Sequence, residues 1–287
     1  DLARGLLASR SRLVGMIAAD AETPFRSQQI AALSRLLVEK GRVPVLIPTD
    51  KSEAARASHA QLLRYRAEAT VVLSGMPSRS FLDLAQRNGQ PIIAVGRTEE
   101  GPDHIRLANA RAAETAVSVF AARGFRRIGL ITSAVGSPNL VEREQAYVRH
   151  ARDQGLDVAV ARAERTDYEG GGLAASLLLA GPDRVEGVFC VNDLMAFGLI
   201  DYARTMLGLS IPGDLSVIGF DDVPEARWGA YRLTTFQQKA ERLAAEILTV
   251  LERRLETPAA PPIVATLDLP LVIRDTVRPI AAGRAED

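Results

Sequence analysis

The chain has 1 cysteine, 1 tryptophan and 3 histidines among its 287 residues, and no excess of either charge. Each shortage excludes something. The lone thiol, Cys190, has no partner for an internal disulfide, and its place in Val188-Phe189-Cys190-Val191 reads as that of a small buried apolar residue. His59, His104 and His150 stand far apart and match no metal-ligand spacing, so no metal is expected. With 35 basic and 35 acidic residues, this piece offers no cationic face with which to hold a nucleic-acid backbone alone. No uninterrupted apolar run approaches the ~18 residues of a membrane span. No apolar signal segment follows Asp1, so the expected location is the cytoplasm. There is no GxxxxGK[ST] or GxGxxG loop to cradle a phosphate and no GxSxG elbow to hold a nucleophile. No catalytic residues and no cofactor are therefore expected, and the chain does not read as an enzyme. The single glycine cluster, Gly170-Gly171-Gly172, precedes a helical stretch and fits either ligand admission or a loop-to-helix entry.

What is present is a rhythm. Apolar runs at Leu13–Ala18, Val43–Ile47, Val71–Leu73 and Pro91–Val95 read as strands. Between them lie helical patterns: the stripe Ile30, Leu33, Leu37, then Glu53–Arg66, then Ser78–Asn88 closed by Gly89. A second series starts near Asn109. Its strands are Ile128–Ile131, Val158–Ala161, Val188–Val191 and Leu215–Phe220, and its helices include Glu142–Gln154 and Gly172–Leu179. Alternation of this kind predicts an α/β fold of two doubly wound parallel-sheet lobes. One more helix (Leu243, Ile247, Leu251, Leu255) and two short strands, Ile263–Leu267 and Leu271–Ile273, follow. They are too little for a domain and are expected to return to the lobes. The lobes are then 1–108 with 237–264 and 109–236 with 265–280, joined by several crossover segments, and 281–287 is a disordered tail.

Polar and aromatic groups fall at the expected carboxyl ends of the strands, where open parallel sheets bind ligands. The first lobe offers Asp20, Phe25 and Ser74, and the second Arg143, Tyr168, Asn192 and Asp221. Arginine supplies a fork of donors, aspartate two acceptors and asparagine both kinds. With flat aromatic faces beside them, they suit a small polyhydroxylated ligand. A plainer reading stands for each. Asn192 or Asp193 fits a helix cap, Asp221 or Asp222 a turn, and Phe25 the core.

Several motifs, in order, carry a family resemblance. They are GFRRIGLI (Gly124–Ile131), FCVNDLMAFG (Phe189–Gly198), IPGDLSVIGFDD (Ile211–Asp222), LTTFQQ (Leu233–Gln238) and LPLVIRDTVRP (Leu269–Pro279). With LARGLLASRSRLVGMIAAD at the start, the chain resembles the effector-binding, periplasmic-binding-protein-like core of LacI/GalR-family transcriptional regulators. The resemblance implies a sugar or sugar derivative bound in the interlobe cleft, a homodimer, and operator DNA bound through a helix-turn-helix domain that lies outside this sequence. It also implies effector contacts from Arg143, Asn192 and Asp221, with aromatics at Phe25 and Tyr168. A periplasmic sugar-binding protein of a transport system is the alternative on the same architecture.

The departures from the family pattern concern the ligand. TPFR, Thr23–Arg26, stands where the family has NPFF, and Ala108 and Ala112 replace the Asp and Gly of VxxDNxxG. Arg26, Arg111 and Trp228 are further effector-facing candidates. An inward Arg26 or Arg111 would favour a carboxylate or phosphate on the effector.

Overall fold

The computed structural model describes residues 11–49, 66–74, 79–96, 101–181 and 184–280. The helix expected over Glu53–Arg66 (apart from Arg66 itself), the lead-in before Ser11 and the tail from Ala281 lie outside them. By internal contacts the chain forms two compact units, residues 1–107 with 239–267 and residues 108–238 with 268–287. The chain passes between the units after Leu107, Gln238 and Leu267. Relative to the expected boundaries, the strand at 264–267 falls wholly in the first unit.

Unit 1 holds a six-stranded sheet in the order β11-β5-β4-β3-β1-β2, every pairing parallel. Its strands are β1 (Leu13–Ala18), β2 (Val43–Pro48), β3 (Ala69–Val72), β4 (Ile92–Val95), β5 (Asp103–Leu107) and β11 (Val264–Leu267). Helix α1 (Pro24–Glu39) packs against α7 (Ala240–Glu256), while the Phe81 and Ala85 face of α2 (Arg79–Arg87) joins Ile17, Val72 and Ile92 in one apolar cluster. Strand β5 has no apolar run to announce it. Its first residue, Asp103, is buried but doubly hydrogen-bonded by Arg254, from Nε at 2.7 Å and Nη2 at 2.7 Å. Arg254 Nη1 also donates to the Ala260 carbonyl at 2.6 Å, so one guanidinium fastens the proline-rich turn to the sheet. A buried carboxylate is tolerable only with such a partner.

Unit 2 repeats the plan in the order β12-β10-β9-β8-β6-β7. Its strands are β6 (Arg127–Ser133), β7 (Asp157–Ala163), β8 (Gly187–Cys190), β9 (Ser216–Asp221), β10 (Thr234–Gln237) and β12 (Leu271–Val272), and only the β10–β12 pair is antiparallel. Helices α3 (Asn109–Ala121) and α4 (Pro138–Asp153) pack together, as do α5 (Tyr168–Leu178) and α6 (Asp193–Leu207). The glycine cluster belongs to the latter contact. A Cβ at Gly171 would run into the Met195 backbone, and one at Gly198 into the Tyr168 carbonyl. The glycines therefore let two helices approach closely, which is neither of the sequence readings. The core is aromatic, with Tyr147, Phe189, Phe220 and Phe236 fully buried and their rings in mutual contact.

Candidate functional site

In each unit the strand order reverses between the first strand and its neighbours, which opens a crevice beyond their carboxyl ends. In unit 1 that point lies between β1 and β3. Ser74 bridges it: its Oγ accepts from Ala19 N at 2.6 Å and donates to Ala19 O at 3.3 Å. Asp20 follows, exposed and in the left-handed region at φ 51°, and its carbonyl starts the turn into α1 by accepting from Thr23 N and Oγ1. Arg26 donates from Nη1 to the Leu73 carbonyl at 2.6 Å and to Gln29 Oε1, with its guanidinium 5.5 Å from the Phe25 ring. Asp20, Phe25, Arg26 and Ser74 thus gather at one crevice, and Phe25 is only partly buried.

In unit 2 the crevice lies between β6 and β8. Arg143, from α4, is 5% exposed. Its Nε donates to Asn109 Oδ1 at 2.9 Å and its Nη1 to the Val191 carbonyl at 2.5 Å. Its guanidinium carbon sits 3.3 Å from the centre of the Phe220 ring. Burial lowers the Arg143 pKa to about 10, while Asp221 and then Glu142 pull it back up. A guanidinium has five N–H donors. Among the described residues only Asn109 and Val191 take any, so this buried cation keeps donors for something else.

Around it stand the other two expected groups. Asn192 caps α6, its Oδ1 accepting from Met195 N at 2.9 Å, and its Nδ2 donates to Thr166 O at 2.8 Å. Its plainer reading as a cap therefore holds, at the crevice all the same. Asp221 ends β9 at φ 126° and Asp222 follows at φ 59°. Two successive non-glycine residues in that region are costly and persist only where the surroundings over-determine them. They do here. Gln238 Nε2 donates to Asp221 Oδ1 at 2.6 Å. The Asp222 carboxylate, buried, accepts from Arg274 and Gln237, each at 2.5 Å, and from Arg227 at 3.4 Å.

Sequence reasoning misses the residue beneath this turn. Asp193 lies inside α6, fully buried, and is not its cap. Its carboxylate accepts from Thr235 Oγ1 at 2.6 Å and Val223 N at 3.0 Å. Burial raises its pKa to about 7 against these two bonds, with the nearby Asp222 charge adding to the rise. An acid directly before an apolar helical stripe looks like a cap, and no local signal says otherwise.

Three expected residues make no hydrogen bond to Arg143. Tyr168, 42% exposed, gives its hydroxyl to Asp201 Oδ2 at 2.8 Å, and Tyr231 shares that oxygen at 2.9 Å. Asp201 is about two and a half turns along α6 from Asn192, or roughly 13 Å. Trp228 is an exposed residue closing the short 3₁₀ turn Pro224–Arg227. Arg111 is exposed and paired with Asp268 at 3.0 Å. Both arginines offered to an anionic effector are thus engaged within their own units.

A recess of about 1050 Å³ in unit 1 touches none of these residues. It lies at the amino ends of β3, β4 and β5, lined by Glu68, Gln90, Asp103 and Arg254, and the last two satisfy each other. Among the described residues no cluster of histidine, cysteine, aspartate or glutamate is placed to hold a metal, and no helix is long and apolar enough to cross a membrane.

A family model described as a periplasmic binding protein-like domain matches residues 117–277. The chain belongs to that family. Its two-sheet α/β fold is the one that solved LacI-family regulators share. The HTH-type transcriptional repressor PurR of Pasteurella multocida is 25% identical over 283 residues, spanning 96% of this chain and 84% of that protein. A LacI family transcriptional regulator from Enterococcus faecium, solved with bound ribose, superposes with a TM-score of 0.82 at 22% identity, covering 93% of this chain and 99% of that one. The transcriptional regulator CelR, in its cellobiose complex, gives 0.82 at 22% identity, over 95% and 88% of the two chains. The likeness to these two structures is one of fold. Relatives of this domain are transcriptional repressors and regulators.

Proposed function

We propose that this domain senses a small polyhydroxylated effector, a sugar or sugar derivative, and so controls operator binding by a DNA-binding domain outside the present sequence. Arg143, Asn192 and Asp221 are the proposed contacts in unit 2, and Asp20, Phe25 and Ser74 those in unit 1. One observation carries the reading: Arg143 is a buried cation with unused donors, stacked on Phe220, with the charge of Asp221 favouring its protonated form. A donor fork beside a carboxylate matches a pair of adjacent hydroxyls, each of which both gives and takes a hydrogen bond. The ribose and cellobiose held by the two structural neighbours are ligands of that class. An effector moves an equilibrium between two states only by the difference in how well it bonds each. Operator affinity would shift by roughly 5- to 150-fold for a coupling of ordinary size. The proposed assembly is a homodimer.

A thermal-shift panel tests this: D-ribose, cellobiose and other neutral sugars, their acids and phosphates, and a purine base as contrast. At about 100 times its dissociation constant a binder adds roughly 2.7 kcal/mol of stability. A neutral sugar is expected to raise the melting temperature furthest. A response confined to the anions or to the purine would overturn the choice of effector.

A further inference from the structure

The two charged residues of the unit 2 crevice share a property that effector binding alone does not require. Each is hydrogen-bonded to a residue at the edge of the unit, where the chain crosses. The first crossing enters unit 2 at Ala108, and Asn109 follows it. Asn109 is buried, its Oδ1 accepts from Arg143 Nε, and its Nδ2 donates to Asn139 at 3.1 Å and Glu142 at 3.3 Å, both on α4. The second crossing leaves unit 2 after Gln238. Gln238 is held twice by one residue, its Nε2 by the Asp221 carboxylate and its backbone N by the Asp221 carbonyl at 3.1 Å. Nothing else among the described residues rewards that side-chain orientation, since the Gln238 Oε1 is shielded from water and has no hydrogen-bond partner. The third crossing lacks such a link. Asp268 is tied there by Arg111, an exposed pair of the kind that contributes little.

We infer that Asn109 and Gln238 are positioning residues: they aim Arg143 and Asp221 at the effector, and carry the state of those two groups to the first and second crossing segments. The inference rests on the reading of Arg143 and Asp221 as effector contacts. It goes beyond that reading by naming the bonds through which occupancy reaches the backbone that joins the units. The physics is direct. Each crossing residue is bonded to a charged group, and such bonds are about twice as strong as neutral ones. An effector that competes for the Asp221 oxygens or the Arg143 donors weakens or tightens them. An exposed hinge residue without such a bond would not respond to the crevice.

Amide hydrogen exchange on the effector-free protein tests the wiring itself. Asp221→Asn keeps the shape and the tolerance of positive φ but removes the charge, and is expected to speed exchange at residues 236–240 roughly three- to tenfold. Arg143→Lys loses the Nε donor, and is expected to speed exchange at residues 108–112 roughly ten- to a hundredfold. Each change should leave the other segment alone. In a Gln238→Met background, Asp221→Asn should add nothing at 236–240, because the bond it weakens is already gone. Unchanged exchange at the matched segment overturns the inference, as does equal acceleration at both. The Asp221 and Gln238 arm stands even if Arg143→Lys does not fold. No effector is present, so this result is separable from effector binding: altered exchange in a protein that binds no sugar leaves the wiring and removes its purpose.

Discussion

Arg143 shows how much one side chain is asked to bear. A buried, unpaired cation would cost several kcal/mol, and the chain meets that cost with a ring face, a carbonyl, an amide and a nearby carboxylate. Asp193 is the mirror case, an acid kept partly protonated near neutrality. Its folded pKa of about 7 stands above the ordinary 3.8, so folding takes up a proton between those values. Stability contributed by this group is complete below pH ~4 and is lost as pH rises through 7. Urea unfolding across pH 4 to 8 should therefore show a shallower decline in Asp193→Asn than in the parent. Parallel profiles would mean that Asp193 is ionised throughout. At this scale the sequence was only half legible. Arg143, Asn192 and Asp221 stand out by type, and the last two also by place at strand ends. Asn109 and Gln238 do not, because the bond from Gln238 to Asp221 spans 17 residues and that from Arg143 to Asn109 spans 34. No local pattern encodes such pairs.

Among the elements, long apolar strands were readable and polar ones were not. Strand β1 occupies Leu13–Ala18, where the apolar run lies. Strand β5 is missed because its first residue, Asp103, is buried through Arg254, far away in the chain, and β10 because Thr234 and Thr235 are buried as hydrogen-bonding residues. Helix α5 begins at Tyr168, four residues before its expected start, since Asp167 caps it by accepting from Gly170 N at 2.8 Å. Helix α3 carries a testable defect. Its cap position is Ala108, which has no side-chain oxygen to take the first free N–H groups. Ala108→Asp should stabilise the protein by about 1 kcal/mol in denaturant unfolding. No gain, or a loss, would mean that the Ala108 backbone (φ −74°, ψ 55°) does not present a side chain to the helix end.

Across the whole chain, the alternation of strand and helix was enough to give two parallel-sheet units sharing one chain. The points of passage at Leu107, Gln238 and Leu267 were less legible, because they fall within or beside strands instead of in linkers rich in glycine or proline. That placement makes the ends of β5, β10 and β11 both sheet and connection. The account's central claim concerns what sits at the end of the adjacent strand β9, and calorimetric titration tests it most directly. The sugar that most stabilises the parent protein is titrated into Asp221→Gly, a change that removes the carboxylate while accepting the φ of 126°. Affinity should fall at least about tenfold, the scale of losing a hydrogen bond to a charged group. An affinity equal to the parent's would place the effector away from Asp221 and contradict the site.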